Sequence, residues 1–95
     1  MRILWTKLAL SDLQSVRDYI ADDHPDAADE VVEKIGRAVE SLSSYPHLGR
    51  AGRVKETREL VVAGTPYVVP YRIKKDRLEI LAVLHGSRRW PTDFS

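Results

Sequence analysis

Ninety-five residues with 43% apolar and 31% charged side chains describe one small soluble globular domain, spanning 1–95, with room for a single core. No apolar run approaches the roughly 20 residues that cross a bilayer, and Met1-Arg2-Ile3-Leu4-Trp5-Thr6 turns polar too soon for a signal peptide. With no cysteine there are no disulfides and no thiolate metal sites, so the expectation is a cytoplasmic chain, away from membranes, with no metal and no cofactor.

The net charge of +1 conceals a split. Residues 1–48 carry five Lys/Arg against nine Asp/Glu, a net of −4, and residues 49–95 carry ten against five, a net of +5. Segregation of this kind suggests a basic face for phosphates or an acidic partner, although solvated helix and sheet faces produce the same pattern.

In chain order, Arg2-Ile3-Leu4-Trp5 reads as a short strand. Thr6 follows as a helix N-cap, its hydroxyl able to accept from the free N–H groups of the first turn. Ala9, Leu13, Val16 and Ile20 then mark one apolar helical stripe, with Asp12, Gln14, Arg17 and Asp18 off it. Asp22-Asp23-His24-Pro25 ends that helix, because the residue before proline is pushed out of the α region. A second helix is expected near 26 to 44, with Pro25 in its first turn, Asp23 or Asp26 as cap, and Ala28, Val31, Ile35, Val39 and Leu42 inward. Gly36 inside it costs roughly 1 kcal/mol against alanine, which suggests close approach to a neighbouring helix. The short link between the two implies an antiparallel αα-hairpin.

Tyr45 to Arg53 is a loop with two glycines, Arg50 and Arg53, and it lacks the spacing of a nucleotide-binding loop. Three strands are expected after it: Thr57 to Val62, Tyr67 to Ile73, and Leu78 to Leu84, joined by short turns that favour antiparallel hairpins. Pro70 cannot donate to a central ladder, so a bulge or an N–H position facing away from a neighbour is expected there. The order β-α-α-β-β-β gives an α+β fold, an antiparallel helical hairpin packed on a twisted antiparallel sheet.

The last strand, from Leu78, ends in a polar cluster, His85-Gly86-Ser87-Arg88-Arg89-Trp90-Pro91. Beside Trp90, Arg88 and Arg89 have the character of an interaction surface, or of solvated charges at a strand end. His85 suits a hydrogen-bonded structural role better than catalysis. His24 and His47 share no ligand spacing. Glu59 and Glu79 suit solvent-face or ion-pair roles.

Several segments carry a family resemblance: Trp5-Thr6, D-Y-I-A-D-D-H-P from Asp18 to Pro25, and Ala27-Ala28. So do P-H-L-G-R-A-G-R-V-K-E-T-R-E-L-V-V from Pro46 to Val62, P-Y-V-V-P-Y-R from Pro66 to Arg72, and I-L-A-V-L-H-G-S-R-R-W-P from Ile80 to Pro91. Over essentially the whole chain these resemble the RelE/ParE toxins of bacterial type II toxin–antitoxin modules. The resemblance implies a helical hairpin on a twisted antiparallel sheet and a tight complex with a cognate antitoxin, heterotetrameric or larger, whose DNA contacts belong to the antitoxin. It also implies one of two activities: RelE-like members cleave mRNA on the ribosome, and ParE-like members poison DNA gyrase.

Residue by residue, most of the nuclease set is absent. The two lysine positions fall on or near Glu59 and Val61, and the strand arginine falls on Val68. Arg88 matches the later arginine when Gly86 anchors the alignment. No tyrosine follows Tyr71, so a terminal acid/base group is missing unless His85 takes its place. A nuclease would draw on Arg58, Arg72, His85 and Arg88, and a target-binding surface on Arg50, Arg53, Arg58, Arg88, Arg89 and Trp90. The gyrase-directed branch is favoured, with the ribosome-dependent endoribonuclease and an inactive plasmid-stabilisation module as alternatives.

Overall fold

The computed structural model describes residues 1–94. Its elements are β1 (Arg2–Trp5), α1 (Lys7–Ala21), α2 (Pro25–Ser41), β2 (Arg50–Ala51), β3 (Arg58–Val61), β4 (Tyr67–Ile73), β5 (Arg77–Ile80) and β6 (Leu84–His85). The sheet runs β1-β5-β4-β3-β2, with β6 also on β4. The hairpins β3–β4 and β4–β5 are antiparallel as expected, but β1 lies parallel to β5, Trp5 opposite Ile80. Hydrophobic patterning shows that β1 is a strand and says nothing about its neighbour, so the all-antiparallel expectation gives way to a mixed sheet.

Thr6 anchors the first helix as expected: the Ala9 N–H donates to its hydroxyl, 3.2 Å away. That hydroxyl in turn donates to the Ile80 carbonyl at 2.8 Å, and the Thr6 N–H reaches the same oxygen at 3.1 Å. One residue therefore caps α1 and ties it to the end of β5. The start of α2 differs from the expectation, because His24, not an aspartate, holds the N-cap position and its side chain makes no capping bond. Pro25 at the helix start brings a fixed φ and no N–H to satisfy. The helix also stops at Ser41, the chain tightening into turns through the Leu42 N–H on the Val39 carbonyl.

One face of the sheet meets the hairpin. Leu60, Val62, Val69, Tyr71, Leu78 and Ile80 pack with Ala9, Val16, Ile35, Val39 and Leu42. The alternate residues, Glu59, Val68, Pro70 and Glu79, point to the opposite face and are buried too. Tyr71 fixes the loop after α2, donating to the Pro46 carbonyl and accepting from the Gly49 N–H, both at 2.8 Å.

Pro70 pairs with Glu59 across β3, and its carbonyl accepts from the Leu81 N–H on the other side at 2.9 Å. Its missing donor therefore faces the gap where β5 has ended and β6 has not begun. Tyr71 faces Ile80 but Val68 faces Leu84, so three steps on β4 match four on the last segment. That extra residue is a β-bulge within Leu81–Val83. The expected continuous strand from Leu78 to Leu84 is thus two short strands, broken where proline cannot sustain the ladder.

Gly36 does not meet a neighbouring helix. A Cβ placed there touches nothing within 4 Å, and the residue lines a shallow groove with Ile3, Trp5 and Val39. At Gly49 a Cβ would lie 2.6 Å from Tyr71 Cε1 and 2.9 Å from the Glu59 carbonyl oxygen. The two glycines should respond oppositely to alanine. Gly36→Ala should stabilise the chain by about 0.5–1 kcal/mol, and Gly49→Ala should destabilise it by about 1–3 kcal/mol, as read from urea unfolding midpoints.

Candidate functional site

The outer sheet face is built around two carboxylates. Glu59 is only 3% exposed. Its Oε1 accepts from Arg50 Nε and Nη2 at 3.1 and 3.0 Å, and its Oε2 from the Arg53 backbone N–H and Nε at 2.8 and 3.2 Å. Glu79, 8% exposed, accepts from Arg72 Nε at 2.8 Å and Arg77 Nε at 2.9 Å. A buried carboxylate left unpaired is heavily penalised, so each has drawn in two arginines.

The acidities follow from these contacts. Burial alone would push Glu59 up, but the Arg53 backbone N–H, the Arg50 guanidinium and both positive charges bring it below its ordinary 4.5. For Glu79 the Arg72 hydrogen bond is the largest influence, and with Arg77 it outweighs burial and lowers the carboxyl. Trp90 completes the first cluster. The Arg53 guanidinium stacks 3.6 Å from its ring centroid, and the indole N–H donates to the His85 carbonyl at 3.0 Å. The chain after β6 is thereby drawn back over the outer face.

A second assembly lies between α1 and β6, in a groove of about 290 Å³. Val16, Val83 and Leu84 contribute its apolar lining, and Asp12, Ser15, Tyr19, Tyr67, His85 and Arg88 its polar groups. The Arg88 guanidinium lies 5.4 Å from the Tyr19 ring centroid. Tyr67 and His85 meet edge to face at 5.7 Å. His85 Nδ1 accepts from the Ser87 backbone N–H at 3.2 Å, with the Ser87 hydroxyl 2.9 Å away. A backbone N–H can only donate, so Nδ1 is an acceptor and the ring proton of neutral His85 sits on Nε2. Burial raises Tyr67 above its ordinary 10.0, with Arg88 pulling the other way.

Asp12 reaches from α1 to the bulge, its Oδ2 accepting from the Val83 N–H at 3.0 Å. Burial raises its pKa against the opposing effect of that bond.

The structure brings His85 and Arg88 into one groove. It sets Arg50, Arg53 and Trp90 around Glu59, with Arg72 on Glu79. Arg58 donates to the Gly49 carbonyl at 2.8 Å and shares a separate depression with Arg72. Arg89 is exposed. Sequence reasoning passed over Asp12, Ser15, Tyr19 and Tyr67. The available signal was helical spacing, since Asp12, Val16 and Tyr19 follow at 4 and 3 residues and share a face beside the apolar stripe. Among the described residues no group of three His, Cys, Asp or Glu could hold a metal ion, and no helix is long and apolar enough to cross a membrane.

A helical hairpin on a mixed sheet, with a groove at the broken last strand, defines a small α+β protein of RelE/ParE type. The model of the family described as ParE toxin of type II toxin–antitoxin system, parDE, matches residues 3–90, and the chain belongs to that family. Y4kP of Sinorhizobium fredii is 53% identical over 90 residues, 95% of this chain and 93% of its own. The toxin RelE2 of Caulobacter vibrioides is 37% identical over 87 residues, 92% of this chain and 97% of its own. A solved structure from the chromosomal ParDE system of P. aeruginosa superimposes with a TM-score of 0.81 at 28% identity, covering 87% of this chain and 92% of that one. The chain is the toxin of a type II toxin–antitoxin module, and its partner is a cognate antitoxin.

The depressed Glu59 and Glu79 should make folding acid-sensitive. A carboxyl with a lower pKa folded than unfolded contributes stability above the unfolded value, and that contribution fades as pH falls through the folded one. Asp12, raised, acts in the opposite sense, as a single group against two. Unfolding midpoints should therefore fall as pH drops below 4.5. Glu59→Gln should be less stable at neutral pH by about 1–3 kcal/mol, with a shallower acid limb in urea titrations at stepped pH.

Proposed function

We propose that this toxin arrests growth by poisoning DNA gyrase, docking on it through the groove between α1 and β6 with Arg88 as the principal cation. Arg89 and the Trp90-braced segment extend the same surface. The observation that supports this reading is the fate of the sheet arginines. Arg50, Arg53, Arg72 and Arg77 are all committed to Glu59 and Glu79. Cleavage of an RNA phosphodiester needs uncompensated cations beside an acid and a base. On this sheet face the cations are compensated, and Glu59 itself stands at or beside a position where the nuclease pattern has lysine.

The antitoxin covers the toxin in a heterotetrameric or larger cytoplasmic complex, and operator DNA is reached only through the antitoxin. The ribosome-dependent nuclease remains the second reading because His85, Tyr67 and Arg88 share a groove. In it Arg88 would face the phosphate and His85 Nε2 would move the proton.

Inducing the chain alone in bacteria should arrest growth and raise a DNA-damage response, and co-expression of the adjacent small open reading frame should restore growth. A well-expressed chain without a growth defect would sink the proposal. Arg88→Ala should weaken the target contact by about thirtyfold, or about 2 kcal/mol, restoring colony formation while antitoxin capture stays nearly intact. Retained toxicity, or loss of the antitoxin complex, would show that Arg88 is misassigned.

A further inference from the structure

We infer that Asp12 is the positioning residue of the groove: its carboxylate pins the bulge between β5 and β6 and so sets the register that presents His85 and Arg88. The inference rests on the proposed role of that groove.

The bulge leaves one backbone donor without a partner on β4. The Leu81 N–H reaches the Pro70 carbonyl, but proline has no N–H to return, and the ladder resumes only where Val68 meets Leu84. Between them the Val83 N–H turns from the sheet to Asp12 Oδ2, 71 residues earlier in the chain. Val83 is buried, so this donor needs a partner from the protein.

The alternative arrangement is specific. If the β4–β5 register continued without the bulge, Val68 would face Val83 and Tyr67 would face Leu84. A one-residue slip turns each side chain to the other face of the sheet. His85 would leave Tyr67, and the segment carrying Arg88, tied to His85 through Ser87 and Trp90, would be displaced with it. Asp12 is well placed to prevent this, because the two bonds from Thr6 to the Ile80 carbonyl hold the start of α1 against the end of β5.

The test uses toxin–antitoxin complexes of wild type, Asp12→Ala, Asp12→Asn and Arg88→Ala, with growth assays of each toxin alone. In Asp12→Ala, nuclear Overhauser contacts between Val68 and Leu84 and between Tyr67 and His85 should be lost. The Val83 amide should exchange at least about tenfold faster, and growth arrest should disappear. Asp12→Asn keeps an acceptor oxygen and should preserve the register, the slow exchange and the arrest. Unchanged register in Asp12→Ala overturns the inference, as does Asp12→Asn losing it, which decides the matter even if the alanine variant does not fold. A lost register with growth arrest intact overturns the link to the groove. If Arg88→Ala also arrests growth, the failure lies in the proposed docking site and the control of register by Asp12 stands.

Discussion

A carboxylate inside a sheet must be neutralised, and Glu59 imposes that demand on everything around it. It sits on β3 opposite Pro70, where strand alternation turns it away from the hairpin core. Arg50 on β2 and Arg53 in the following loop answer it, which holds that loop against the sheet edge. Arg53 then carries Trp90, so the closing segment of the chain rests on a charge pair that begins with one buried glutamate. Glu79 repeats the device with Arg72 and Arg77. The basic half of the sequence is in this sense less free than its composition suggests, with four of its arginines occupied in holding the fold.

A second constraint works from the same place. Pro70, in register with Glu59, withholds a hydrogen bond from the opposite edge of β4. The last hydrophobic run breaks there, gains an extra residue, and emerges with its end turned toward α1. The groove of Tyr19, Tyr67, His85 and Arg88 is the result. Its cation, Arg88, stands over the Tyr19 ring. Four arginines on the outer sheet face are held by buried carboxylates, whereas the groove arginine stands over an aromatic ring.

Much of this was legible in the sequence. The stripe of Ala9, Leu13, Val16 and Ile20, the Thr6 cap and the bounds of β4 all come from periodicity and local chemistry, which residues a few positions apart determine. Pro70 announced a break in the ladder for the same local reason. The parallel pairing of β1 depends on contacts more than 70 residues apart, which patterning does not encode. Asp12 looked like an ordinary solvent-facing aspartate because its partner is a backbone N–H exposed only by a bulge. Glu59 and Glu79 fit the ion-pair expectation, but their burial was hidden, since a charged residue in an alternating strand reads as facing water whatever later covers it.

The most direct measurement sets the purified toxin, freed from its antitoxin, against two targets in parallel: DNA supercoiling by gyrase and mRNA on programmed ribosomes. Inhibited supercoiling with intact mRNA is the result expected from a sheet whose arginines are bound to Glu59 and Glu79. Ribosome-dependent cleavage with gyrase unaffected would contradict it.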